Sequence, residues 1–187
     1  MMRVAIFGGT FDPPHIGHMM ACYYILATTD VEELWMVPAY RHPFGKESAP
    51  YDMRVKMCEM SAEIFGNRVK VMRFEEEMGK DTDTPIYTIE LLKSLVERYK
   101  GYRFYFVIGS DILQETEQWK DFDKIEGYAR LIILRRRGVE PSEDYKAVLP
   151  DVSSTLIREN IKRSIPVAGL VCNEVLRFIE DNNLYRG

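Results

Sequence analysis

Cysteine is scarce in this chain of 187 residues: Cys22, Cys58 and Cys172 are odd in number, scattered, and set in stretches of amphipathic helical pattern. A disulfide framework and a cysteine metal site are both unsupported, and the three read as buried thiols. Long hydrophobic runs are missing too. The longest apolar stretches are strand-sized, far below the roughly 20 residues of a membrane helix, and the opening segment lacks the run of a signal peptide. Nor is there an excess of positive charge. The 25 Lys and Arg against 29 Asp and Glu leave a formal net charge of -4, whereas a nonspecific nucleic-acid or membrane binder needs a basic surface. Any phosphate binding must therefore be local. Neither a P-loop nor a Gly-x-Gly-x-x-Gly fingerprint occurs, so kinase and dehydrogenase readings lack support. The expectation is a cytoplasmic protein with no nucleic-acid or membrane partner, and no pattern bears on its oligomeric state.

What is present is a hydrophobic share of 46%, enough for one ordinary domain with a substantial core. We read residues 1–187 as that domain, with a small helical lobe from about 150 to 187. Arg3 to Phe7 is a short apolar run stopped by Gly8-Gly9, the pattern of a buried strand. Gly17 to about Thr28 is helical, and Leu34 to Val37 is a second strand stopped by Pro38. Pro38 to Pro50 reads as a long loop. Met53, Met57, Met60 and Ile64 repeat at helical spacing, and Val69 to Met72 is a third strand. Phe74 to Asp83, acidic and polar, reads as an exposed loop. Ile89, Leu92, Leu95, Val96 and Tyr99 mark one face of a helix, followed by the strand Phe104 to Ile108, which ends in Gly109-Ser110-Asp111. A short helical region spans Trp119 to Tyr128. The strand Leu131 to Leu134, a possible short strand Ala147 to Leu149, and helices near Thr155 to Ser164 and Cys172 to Asn182 complete the chain.

Nearly all-apolar strands alternating with helices call for a parallel sheet covered on both faces, an α/β, Rossmann-like, doubly wound fold. Ligands of such sheets bind beyond the carboxyl ends of the strands, where the strand order reverses, so the Gly8 and Gly109 loops are expected to face each other there.

The sharpest signal is Gly8-Gly9-Thr10-Phe11-Asp12-Pro13-Pro14-His15-Ile16-Gly17-His18, which joins the first strand to the first helix. A helix N-terminus offers unpaired N–H groups and partial positive charge, which suits a phosphate. His15 and His18, three apart, project from one side of the first turn, so two donors can converge on one phosphoryl group. Gly8 and Gly9 let the backbone bend and approach a nucleotide, and Gly17 leaves room for a base or ribose. The bland alternative is a turn with ordinary helix-cap histidines. Against it, all three histidines of the chain fall within its first 42 residues.

This string resembles the signature of the nucleotidylyltransferase superfamily, whose His-x-Gly-His element stabilises the reacting phosphate. A second signature is similar as well: Ser153-Ser154-Thr155-Leu156-Ile157-Arg158, by itself a serine-rich N-cap, matches the element that in the family holds the ATP β- and γ-phosphates. Two such helix starts imply a triphosphate held between them. Within the superfamily the resemblance is to the bacterial nicotinate-mononucleotide adenylyltransferases and runs along nearly the whole chain, through Tyr87-Thr88-Ile89-Glu90-Leu91, Gly109-Ser110-Asp111, Trp119 and Leu184-Tyr185.

The resemblance implies ATP contacts at Gly8, Gly9, Thr10, Phe11, Gly17, Lys46, Gly109, Asp111, Ser153, Ser154, Thr155 and Arg158. Asp111 either binds the ribose or caps a helix. Tyr87 and Thr88 either position the mononucleotide or pack a helix. Trp119 either stacks on the pyridine ring or joins the core. Family members place a His-Lys pair after the second strand, where this chain reads Arg41-His42-Pro43-Phe44-Gly45-Lys46, so His42 and Lys46 share that role. Glu90-Leu91 departs from the family's Asp-Thr. Arg135, Arg136 and Arg137 either reach a phosphate or carboxylate or form a solvated turn.

The expected reaction joins the AMP part of ATP to a pyridine mononucleotide, nicotinate mononucleotide first, with His15 and His18 as catalytic residues and magnesium arriving with ATP. Alternatives are an adenylyltransferase acting on nicotinamide mononucleotide or phosphopantetheine, and a non-catalytic nucleotide sensor.

Overall fold

A computed structural model describes residues 1–41, 48–110, 116–134 and 151–186. Five strands form one sheet: β1 (Arg3–Gly9), β2 (Glu33–Pro38), β3 (Val69–Val71), β4 (Arg103–Gly109) and β5 (Arg130–Leu134). Their order is β3-β2-β1-β4-β5, and every pairing is parallel. From β1 the chain winds outward through β2 to β3, then returns to the other side of β1 for β4 and β5. The order therefore reverses between the paired strands β1 and β4, whose following connections run to opposite sides and leave a crevice outside their carboxyl ends.

Alternation along each strand supplies both faces of the sheet. Ala5 and Phe7 of β1, with Leu34 and Met36 of β2, pack beneath α1 (Ile16–Thr28) and α2 (Tyr51–Ala62), which contribute Met19, Cys22, Ile25, Cys58 and Ala62. Val4, Ile6, Trp35 and Val37 point the opposite way. They meet α3 (Phe74–Gly79), α4 (Thr88–Arg98) and the 3-10 segment Phe122–Gly127 through Phe74, Ile89, Leu92, Leu95 and Ile125. Leu92 is fully buried, so Leu92→Ala removes contacts on that face at a cost of about 2–5 kcal/mol.

A third apolar cluster joins α5 (Ser154–Lys162) and α6 (Asn173–Asp181) to α2. Ile157, Val175 and Ile179 gather around Met57, with Leu184 and Tyr185 packed at its edge. This cluster brings residues 152–185 back against α2 in the first half of the chain.

One expected element is corrected. Phe74 to Asp83 is not wholly loop, because residues Phe74–Gly79 form α3. Phe74 is buried against Trp35 and supplies the apolar anchor, while Glu75, Glu76 and Glu77 in the first turn complement the positive end of the helix. The expected strand at Ala147 to Leu149 lies outside the described residues.

Candidate active site

The carboxyl ends of β1 and β4 adjoin at the point of reversal, which puts Gly8, Gly9 and Gly109 at one edge of the sheet. Beyond β1 the chain turns through Thr10 to Pro14 and enters α1 at His15. The His15 and His18 rings stack with centroids 3.7 Å apart and planes inclined by 26°. His15 is buried and His18 partly exposed. The His15 backbone N–H donates to Nδ1 of His18 at 3.1 Å. An accepting Nδ1 puts the proton of a neutral imidazole on Nε2, so this bond selects the tautomer whose outer nitrogen is a donor.

Apolar packing holds the pair in place. Phe11 is 2% exposed and sets its ring edge-on to His18 at 4.9 Å and to Phe7 at 5.5 Å; its side chain is a support for His18. A Cβ on Gly9 would lie 3.1 Å from the Phe11 ring. A Cβ on Gly17 would sit 3.0 Å from Cε1 and Nδ1 of His15, so the lack of a side chain there lets that ring lie against the helix. One donor of this helix start is also spent, since the Ile16 N–H bonds the Leu170 carbonyl at 2.8 Å.

The start of α5 lies against the same turn. Ser154 donates its hydroxyl to the Pro13 carbonyl at 2.8 Å, and Arg158 Nη1 donates to the Asp12 carbonyl at 2.6 Å. Residues more than 140 positions apart in the chain are thus joined directly. The hydroxyls at this helix start divide their work. Ser153 caps the helix by accepting from the Leu156 N–H, the Ser154 proton goes to Pro13, and Thr155 Oγ1 accepts from Arg158 Nη2 at 3.3 Å while keeping its own proton. The backbone N–H groups of Ser154 and Thr155 have no partner among the described residues. They form, with Arg158, the anion-attracting edge of the helix.

Three residues outside the expected set complete the arrangement. Asp12 is 3% exposed, with Oδ1 accepting from the Tyr185 hydroxyl at 2.7 Å and from the Ala49 N–H at 3.1 Å, and Oδ2 lying 3.5 Å from Arg158 Nη1. Burial, and then the adjoining Asp12 charge, push the Tyr185 phenol well above its ordinary value, so it stays a donor. Arg54 is equally buried and donates to the carbonyls of Ala49, Thr10 and Ala39 at 3.0, 2.7 and 2.8 Å. It ties α2 to the loops after β1 and β2. Only position within a motif marked Asp12; a lone Arg in an amphipathic helix carries no signal that it will be buried.

Across the switch point, Tyr87 and Thr88 stand at the start of α4. Tyr87 is exposed, and Lys120 Nζ lies 4.6 Å above its ring while pairing with Glu90 Oε1 at 2.6 Å. The other Glu90 oxygen accepts from the Tyr87 N–H at 3.3 Å. Trp119 is half-buried and edge-on to Phe106 and Phe122, at 6.1 and 6.0 Å. One side of the indole thus joins the core. Nearby, Glu75 accepts from the Tyr40 N–H at 2.9 Å, and burial raises its carboxyl to about 7. His42, Lys46, Asp111 and Arg135 to Arg137 lie outside the described residues. Among those described, no group of three His, Cys, Asp or Glu side chains is arranged to hold a metal ion, and both Asp12 oxygens are already engaged.

Residues 6–160 match the family described as cytidylyltransferase-like. The chain is similar, at 42% identity over 99% of its length and 97% of the relative's, to a probable nicotinate-nucleotide adenylyltransferase of Anaeromyxobacter dehalogenans. A protein of the same description from Myxococcus xanthus is 38% identical over 98% and 95% of the two chains. In structure it is similar to Plasmodium falciparum nicotinic acid mononucleotide adenylyltransferase complexed with NaAD, with a TM-score of 0.83, 20% identity, and coverage of 99% and 98%. That last likeness concerns the fold.

Proposed function

The chain belongs to the nicotinate-nucleotide adenylyltransferases of the cytidylyltransferase-like family, and from that premise we propose that it transfers AMP from ATP to nicotinate mononucleotide, releasing pyrophosphate, in NAD biosynthesis. The observation that supports this reading is the direct bonding of Arg158 and Ser154 to Asp12 and Pro13, which joins the two helix starts whose motifs resemble phosphate-binding ones.

In this mechanism a 5′-phosphate oxygen of the mononucleotide attacks the α-phosphorus of ATP in line. The bond from that phosphorus to the bridging oxygen breaks, and its electron pair leaves with pyrophosphate. The attacking oxygen is already anionic near neutral pH, so no general base is required. The difficulty lies in positioning the two substrates and stabilising negative charge. His18 Nε2–H is the donor to the α-phosphate, with its tautomer selected by the His15 N–H. Arg158, the Thr155 hydroxyl and the first N–H groups of α5 hold the β- and γ-phosphates. Of the five guanidinium N–H groups of Arg158, Nε–H and one on Nη2 remain for this after the bonds to Asp12 and Thr155. Magnesium bound with ATP would neutralise phosphate charge, and no described group of carboxylates is arranged to hold it independently. Tyr87, Thr88 and Trp119 receive the mononucleotide, and His42, Lys46, Asp111 and Arg135 keep the contacts their resemblance implies. One domain, 1–187, carries the whole reaction.

No helix among the described residues is long and apolar enough to cross a membrane. We place the enzyme in the cytoplasm, where ATP is abundant. The deciding experiment supplies purified protein with ATP, magnesium and, in turn, nicotinate mononucleotide, nicotinamide mononucleotide and phosphopantetheine. Pyrophosphate release is expected to be fastest with the first. Equal rates across the three, or none, would reject the substrate assignment.

A further inference from the structure

We propose that Tyr185, in the turn after α6, is a positioning residue for Arg158, acting through the Asp12 carboxylate to set the ATP phosphate site. The proposal rests on the reading of that site given above.

Asp12 lies inside the turn between β1 and α1, and its two oxygens have different tasks. Oδ1 is held by the Tyr185 hydroxyl and the Ala49 N–H. Oδ2 faces Arg158, whose Nη1 also bonds the Asp12 carbonyl. A carboxylate beside an arginine favours a bidentate pair. In that geometry Nε or Nη2 would turn inward beside Nη1, and fewer N–H groups of Arg158 would face a ligand. Two donors on Oδ1 oppose the rotation and hold the guanidinium to a single carboxylate oxygen. The Ala49 donor is the longer of the two and belongs to the segment that leads into α2, so the tyrosine supplies the shorter, independent restraint.

The hydroxyl is well anchored for this. Tyr185 adopts φ 63°, and its ring packs at the edge of the apolar cluster built from Ile157, Val175 and Ile179 around Met57. Ile157 is the residue before Arg158. The end of the chain and the arginine are therefore braced by the same packing, and docking of the last helix is coupled to the shape of the phosphate site.

The test compares the unaltered protein with Tyr185→Phe, Arg158→Ala and the double variant, reading KM for each substrate, kcat, and the Kd of a non-hydrolysable ATP analogue. Phenylalanine keeps the ring in place, and thermal melting of each ligand-free protein checks the fold. Tyr185→Phe is expected to raise KM and Kd on the ATP side roughly tenfold, the scale of one hydrogen bond to a buried charge, with KM for nicotinate mononucleotide changed less than about twofold. In the Arg158→Ala background the same substitution should add less than about twofold, because the two residues share one path. Unchanged ATP binding, equal loss for both substrates, or full additivity would overturn the proposal. Failure of the unaltered protein to turn over nicotinate mononucleotide would defeat the substrate reading alone, since analogue binding still tests the tyrosine. Absence of analogue binding would overturn both.

Discussion

The two sides of the switch point are built differently. On the phosphate side, Asp12, Arg54 and His15 are almost entirely buried, and Asp12 and Arg54 are bonded across long sequence separations. Low dielectric strengthens each contact there, and loss of one partner strands another. On the side of Tyr87 and Trp119, the main polar link is the pair Lys120–Glu90, whose side chains are 46% and 38% exposed. Such a pair is screened by salt and water and contributes little to stability. The contrast teaches where change is tolerated. Groups assigned to the triphosphate sit in a frame that resists substitution, whereas groups assigned to the mononucleotide sit on a surface that can vary without unfolding the protein.

Substitutions can break this contrast or sharpen it. Arg54→Ala should have the largest effect, because it strands the carbonyls of Thr10, Ala39 and Ala49. Chemical denaturation should show a loss of about 3–5 kcal/mol, and a loss below about 1 kcal/mol would remove the distinction between the two sides. His18→Ala should lower kcat by roughly 10²–10³-fold, as removal of a single oxyanion donor does, with little change in melting temperature; steady-state pyrophosphate release measures it. Glu75 makes a claim about pH. Its folded value of about 7 lies above the ordinary 4.5, so its contribution to stability is full below about 4.5, falls as pH rises through the folded value, and is lost above it. Glu75→Gln should flatten that decline and raise stability at pH 8 by about 1–3 kcal/mol, as read from denaturation midpoints between pH 5 and 8.

Two smaller effects follow. Gly17→Ala presses a methyl group on the His15 ring and should lower kcat by roughly tenfold, the scale of 1–2 kcal/mol of overpacking; an unchanged rate would show that His15 can shift freely. Lys120→Ala should be the mildest. Its melting temperature is expected to stay within about a degree, with KM for the mononucleotide altered about threefold at most, and a larger thermal shift would erase the claim that this side is loosely built.

Much of this was readable in the residues. All five strands lie where apolar runs end in Gly, Pro or charge, and the helices before and after them follow the spacing of Met, Leu and Ile. Phe74–Gly79 escaped because six residues with three glutamates show no helical period, and the burial of Phe74 against Trp35 and the partners of the glutamates are tertiary contacts. His15, His18, Ser154 and Arg158 were marked by motif. Arg54 acquires its meaning from carbonyls 5 to 44 positions distant, and nothing local distinguishes it from a helix-surface arginine; Leu184-Tyr185 was marked by resemblance, but the bond from Tyr185 to Asp12, 173 positions away, was not.

The sequence by itself determined the parallel architecture, through apolar runs that need cover on both faces, and marked two helix starts suited to phosphate, through glycines, histidines and hydroxyls whose chemistry is local. Only the tertiary structure decided how those starts meet: which hydroxyl caps, which is spent on a carbonyl, which imidazole nitrogen accepts, and that a buried carboxylate links the arginine to the end of the chain. Hydrogen bonds are directional and short, so their partners are set by the packing of distant segments and cannot be read from either segment alone.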